Sequence, residues 1–346
     1  MILRRILELF AIPLLILAAT HCSMLNPEEN EEEGPYLPEY DPIARPAYWD
    51  PVWHPSGAFI GFNHVPLTGI HFPWGDKAPG EYEFDWVSRG FWLINADGTN
   101  MRRILPSTLQ CPAWSPDGEW ISFVIDAQIF KMRFIGAEFD TTSLTQLTFE
   151  GLNYFPSWSS DGEWIVYDSN FESPSGRQFI WKMRADGNQK DRIGYSASGS
   201  TREPNWSLVG QKITFVHFCG GGTYYPEIFT MDIAGTNWER LTSNDVDDES
   251  PAYSPDGHRI AYVSRIIPEY PQLWIMNMDR TGQLRLTSEG IDSAYGRPFT
   301  WNPASGEIVY TVYRWDEWTA ENGVLWIINT QSGKKRQLTF NIIPGR

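Results

Sequence analysis

Between Ala47 and Phe340 apolar and polar positions alternate in short runs, and nowhere do they follow the spacing of an amphipathic helix. Runs of this kind, bounded by Gly, Pro, Asn, Asp and Ser, predict strands. One arrangement recurs: a Pro-x-aromatic start, a tight turn, then an alternating apolar run. It reads CPAWSPDGEWISF from Cys111, FPSWSSDGEWIVY from Phe155, EPNWSLVGQKITF from Glu203 and SPAYSPDGHRIAY from Ser250. DPVWHPSGAFIGF from Asp50 precedes these, and a distorted RPFTWNPASGEIVY from Arg297 follows.

The turn glycines Gly57, Gly118, Gly162, Gly210, Gly257 and Gly306 stand 61, 44, 48, 47 and 49 residues apart, the period of a repeat architecture. Each unit holds four strand-like segments; in the second they are PAWS, EWISF, IFKMR and TQLT. Asp117-Gly118, Asp161-Gly162 and Asp256-Gly257 supply the positive φ of a tight hairpin between the first two. Four antiparallel strands in each of six units predict an all-β fold, a six-bladed β-propeller over residues 47–340, each blade made from one contiguous repeat. Side chains alternate across a strand, so Pro and Trp two apart share a face while Ala113 and Ser115, or Ser157 and Ser159, keep the other face small. The aromatic of one blade is expected to fill the space left by its neighbour.

These residues carry a family resemblance. PAWSPDGEWISF with IFKMR and the recurring Leu-Thr ends (Leu147-Thr148, Leu241-Thr242, Leu286-Thr287, Leu338-Thr339) resembles the WD-like propeller repeat of the TolB family of bacterial cell envelopes. The resemblance implies fold and compartment, while function needs a site. Members of the TolB family carry an α/β domain before the propeller; here an acidic segment stands in that place.

Residues 1–22 read as an export signal: Arg4 and Arg5, the apolar run Leu9 to Ala19, then small residues. LAATHC resembles a bacterial lipobox with Cys22 as the lipidated residue and a membrane anchor, although His21 stands where Gly, Ala or Ser is usual; a signal cut without lipid, or left uncleaved as an anchor, is the other reading. Residues 23–46, rich in Glu, Pro and Asn, read as an extended tether, and 341–346 as a C-terminal tail. Cys111 and Cys219 are expected to be free, buried thiols.

The formal charge of -16 sets the chain against phosphate backbones, so no nucleic-acid partner is expected. GYSAS (Gly194 to Ser198) lacks the second glycine of a nucleophile elbow, and CGGG at Cys219 lacks the ending of a phosphate loop, so no catalytic residue and no cofactor is assigned. Oligogalacturonate lyases resemble this repeat and hold a metal through several His, which makes a metal-dependent propeller enzyme the alternative function. His64, His71 and His217 fall in long loops of the first and fourth units without the spacing of a ligand motif, and no metal site is assigned. NDVDDES (Asn244 to Ser250) reads as a solvated acidic turn.

Connections between first and second strands are tight, whereas those between second and third run to 28 residues in the first unit, Asn63 to Gly90, and from 10 to 14 in units three to six. Unit two has five, Val124 to Gln128. All emerge on one face of a propeller, and they are rich in aromatics and Pro. This places a binding surface for an envelope protein, peptide or glycan on the looped face, through Trp74, Tyr224, Tyr225, Trp315 and Trp318, with Asp50, Glu203 and Arg297 near the channel mouth orienting a polar ligand. Packing of these loops on one another as a lid is the competing reading.

Overall fold

The computed structural model describes residues 47–71, 81–194, 199–219, 225–266, 269–292, 296–313 and 322–341. Six four-stranded antiparallel sheets succeed one another along the chain. Blade 1 takes Tyr48–Trp53, Phe59–His64, Gly90–Asn95 and Arg102–Leu105; blade 6 takes Phe299–Trp301, Glu307–Val312, Val324–Asn329 and Lys335–Gln337. Every blade is one contiguous repeat. Among the described residues the only helical element is a short 3-10 turn, Trp86–Ser88. The long connection of blade 1 forms a hairpin of its own, Leu67–His71 with Glu81–Phe84.

Blade-to-blade packing follows from the first strand. Trp158 of blade 3 donates from Nε1 to Ala113 O at 3.1 Å and to Ser122 Oγ at 2.9 Å, both in blade 2. Trp301 of blade 6 does the same to Ala252 O of blade 5 at 3.1 Å, and Tyr253 of blade 5 pairs its hydroxyl with Thr230 Oγ1 of blade 4 at 2.7 Å. In blades 3, 5 and 6 the ring's one polar atom thus finds a partner on the blade before it.

The turn and the Leu-Thr ending are equally local in origin. Ser115 Oγ donates to Asp117 Oδ1 and accepts from Trp120 N, while Gly118, at φ +72°, closes the turn onto Ser115 O. In blades 2, 4, 5 and 6 the fourth strand ends before it can pair the first N–H groups of the third strand. The threonine supplies the missing acceptor: Thr148 Oγ1 takes Ile129 N at 2.8 Å, Thr242 Ile228 N at 3.0 Å, Thr287 Leu273 N at 3.0 Å and Thr339 Leu325 N at 2.9 Å. A buried N–H left unmade costs about 1 to 3 kcal/mol, which is why a hydroxyl follows the leucine.

The ring closes by packing of blade 6 on blade 1. Tyr48, Trp53 and Phe62 share a core with Val309, Leu325 and Ile327. Tyr48 N donates to Gly323 O at 3.1 Å, Tyr48 Oη to Phe340 O at 3.0 Å and Arg336 Nη2 to Ala96 O at 2.8 Å.

Asn244–Ser250 departs from the expected solvated turn. Its second half begins the inner strand of blade 5, Asp247–Tyr253, and Asp248 is fully buried, accepting from Asn244 Nδ2 at 2.8 Å. Alternation on the strand buries Asp248 while its acidic neighbours Asp247 and Glu249 stay half-buried and pair with Arg265.

Candidate functional site in the central channel

In five blades the residue before the conserved-looking proline of the repeat is left-handed: Asp50 (φ 52°), Cys111 (50°), Phe155 (53°), Glu203 (54°) and Ser250 (53°). At each the pairing with the second strand slips, as a β-bulge does. A non-glycine residue held there costs on the order of 1 to 3 kcal/mol, so the surroundings must compensate. The bulge turns backbone N–H groups out of the ladder, and the proline that follows adds no further donor.

Carboxylates receive those donors. Asp50 accepts from Arg297 N at 2.7 Å and from Cys111 N at 3.4 Å, and Asn63 Nδ2 reaches it at 3.3 Å. Asp168 Oδ2 accepts from Glu203 N at 2.9 Å. Glu203 Oε2 accepts from Ser250 N at 2.7 Å and Ser250 Oγ at 3.1 Å. Arg297 reaches across the axis, donating from Nη2 to the carbonyls of Pro156, Phe155 and Pro204 at 3.1, 3.3 and 3.4 Å. These bonds join all six blades. Gly296 is required beside them, since a Cβ there would fall 1.8 Å from Asp50 Oδ1.

Three carboxylates thus surround one guanidinium in the channel, Asp50 and Asp168 buried, Glu203 and Arg297 half-buried. Burial pushes Asp50 up to about 7, with Asp292 adding to the rise. It pushes Asp168 up to about 8 and Glu203 up to about 7, their acidic neighbours Glu203 and Glu249 respectively contributing. Burial also lowers Arg297, against the pull of the surrounding acids. Within this cluster Arg297 Nε and Asp168 Oδ1 have no hydrogen-bond partner among the described residues. A cavity with room for about one water lies against Arg297, Glu203, Ser250 and Phe155. Cys111 is a free thiol, its pKa raised well above the ordinary value by burial, which makes it a poor nucleophile.

The structure therefore brings Asp50, Glu203 and Arg297 together at the channel, where Asp50 accepts from Arg297 N, Glu203 from Ser250 and the Arg297 guanidinium donates to carbonyls of blades 3 and 4. Tyr225, at the start of the third strand of blade 4, is exposed. Cys22, Trp74, Tyr224, Trp315 and Trp318 lie outside the described residues. His64 stacks on Tyr48 at 4.0 Å and its Nδ1 lies 2.7 Å from Ala47 O; His71 meets Glu83 at 2.8 Å on the blade 1 hairpin; His217 packs edge-on against Phe229 and Trp238 in blade 4. The three do not share a site.

Sequence reasoning missed Asp168 and Asn63. Their signal was positional. In IGFNH, IVYDS and IVYTV the fourth residue of the buried second strand is polar, where ISFVI, ITFVH and IAYVS have valine. Asn63 uses the place to donate to Leu109 O at 2.7 Å and to accept Leu109 N at 2.8 Å, tying blade 1 to the lead into blade 2.

No established family model matches the chain. An uncharacterized protein of Agrobacterium fabrum, Atu1656, is 30% identical over 254 residues, 62% of this chain and 83% of its own length. TolB from Acinetobacter baumannii superimposes with a TM-score of 0.59 at 22% identity, over 78% of this chain and 62% of TolB. An oligogalacturonate lyase from Vibrio parahaemolyticus does so with a TM-score of 0.51 at 12% identity, over 86% of this chain and 87% of the lyase. These two likenesses are of fold. The repeat and the identity to the Agrobacterium protein lead to one assignment: the chain, a six-bladed propeller of TolB-like fold, belongs to the family of Atu1656.

Proposed function

We propose that this chain is an exported, non-catalytic cell-envelope propeller that presents its looped face to a protein, peptide or glycan and is held at a membrane by lipid on Cys22. The observation that carries the reading is the filled channel. Asp50, Glu203 and Arg297 direct most of their hydrogen bonds to joining the blades, which supports the looped face rather than the channel as the binding surface. Arg297 Nε is the group at the channel that a polar ligand could still use. Export is supported by the signal-like first 22 residues and by the TolB likeness. A metal-dependent lyase would need loop histidines in one place, whereas His64 and His217 are packed among aromatic rings in blades 1 and 4.

The test is capture from envelope extracts by wild type and by the Trp315→Ala, Trp318→Ala double variant at matched melting temperature. Lost capture supports the looped face; unchanged capture with lost stability assigns these rings to packing. Labelled palmitate entering the wild type and not Cys22→Ser supports the anchor, and equal labelling of both removes it.

A further inference from the structure

The second-to-third-strand connection of blade 2 is only Asp126 and Ala127, between Ile125 and Gln128, so the looped face has a notch there. Beside the notch the chain leading into blade 3 turns two large apolar side chains outward: Phe149 is 67% exposed and Leu152 49%. The backbone under them is fixed. The two-hydrogen Nδ2 of buried Asn153 sits among the carbonyls of Ala127, Glu150 and Gly151 at 3.1, 3.0 and 3.2 Å and Gln128 Oε1 at 3.1 Å, and its backbone N donates to Ala127 O at 2.9 Å. Gln128 Nε2 holds Gly151 O at 2.7 Å. Asn170 brackets Leu152 from the other side, accepting its N–H at 2.7 Å and donating to its carbonyl at 3.3 Å. Gly151, at φ +74°, is pressed so close that a Cβ would sit 3.0 Å from Phe171 N.

Single exposed apolar residues are ordinary on a protein surface. Two of them on a turn held from both sides by Asn153, Gln128 and Asn170 are a different matter, because the ordering cost of presenting them to a partner is already met by folding. The rim is acidic: Asp126 floors the notch, Glu150 lies between the two apolar residues, Glu172 follows Phe171, and all three are exposed.

We propose that this notch docks a basic segment of a partner protein, placing a large apolar side chain on Phe149 and Leu152 and flanking Lys or Arg residues against Asp126, Glu150 and Glu172. The inference rests on the looped face being the binding surface and adds the chemistry of the partner. Charge selects this occupant over the others at hand. Residues 23–46 of the chain carry seven carboxylates and one arginine, and a second copy brings a net charge of -16, so both are repelled by the rim.

The experiment uses fluorescence anisotropy with the labelled peptide Gly-Lys-Phe-Lys-Leu-Lys-Gly and its counterpart with Glu in place of Lys. The wild-type chain is expected to bind the basic peptide, more weakly at high salt, and to ignore the acidic one. Phe149→Ser with Leu152→Ser, exposed changes that leave melting in place, is expected to weaken binding tenfold or more; Glu150→Lys with Glu172→Lys is expected to do the same without touching the apolar pair. Binding that is equal in all variants, absent in the wild type, or matched by a peptide of residues 23–46 overturns the proposal. The Trp315→Ala, Trp318→Ala variant separates the two readings: extract capture lost there but kept in Phe149→Ser, Leu152→Ser leaves the looped face as the binding surface and removes the notch.

Discussion

The carboxylate of Asp50 accepts the backbone N–H of Arg297 at 2.7 Å, a contact between residues 247 apart in the chain. It links the first inner strand to the lead into the last, so it exists only once the ring has closed. The same carboxylate also takes Cys111 N and Asn63 Nδ2, which makes it the acceptor on which blades 1, 2 and 6 converge.

Replacing it should therefore open the seam. Asp50→Ala leaves the Arg297 and Cys111 N–H groups without acceptors in the channel, and a stability loss of about 2 to 4 kcal/mol is expected. Urea unfolding measures it, and a midpoint within error of wild type would show that water replaces the carboxylate at no cost.

The acid cluster sets a pH dependence of definite sign. Asp50, Asp168 and Glu203 titrate near 7, 8 and 7 in the folded ring, and near 4 when unfolded. Between those limits the folded state holds protons the unfolded state has released, so this contribution to stability is complete below about pH 4 and is lost as pH rises to about 8. Asp168→Asn should keep the acceptor for Glu203 N and flatten the fall. Melting temperatures of both proteins from pH 5 to 9 decide it: parallel curves would mean that Asp168 is ionised throughout.

The threonine endings are testable one blade at a time. Thr339→Val keeps the shape and removes the acceptor of Leu325 N, with an expected cost of about 1 to 3 kcal/mol, while Thr339→Ser should recover most of it. Equal stability of the valine and serine variants, measured by denaturant titration, would assign the residue to packing alone.

Gly296→Ala probes the close approach at Asp50. The added methyl has no space beside Oδ1, so either the carboxylate or the Arg297 strand must move, and the variant is expected to melt lower and to lose most of the pH response that Asp50 contributes. An unchanged melting curve would show that the lead into blade 6 relaxes freely.

Much of this architecture is written in residues that act over a few positions. Asp117-Gly118 makes its turn, Pro112 and Trp114 share a face, and Thr148 follows Leu147, all through contacts inside one blade or with the next one; a repeat of near-constant length then multiplies the result by six. That is why strand order and blade number were legible in the sequence. Asp50, Glu203 and Arg297 were legible as a group because each stands before the repeat's proline. What they do was not. Whether a carboxylate at that place faces solvent, a ligand or a backbone N–H depends on which bulges meet it across the axis, and those come from strands one repeat or a whole chain away. Asp168 reads as one polar residue on an apolar strand until Glu203 N is set 2.9 Å from it. The exposure of Phe149 and Leu152 likewise depends on Asn153 and Asn170, which anchor the backbone beneath them. The sequence by itself determined the strands, their turns and their number, because those interactions are local and repeated; only ring closure decided the charge and the partners of the channel, because burial and hydrogen bonding there are properties of six blades at once.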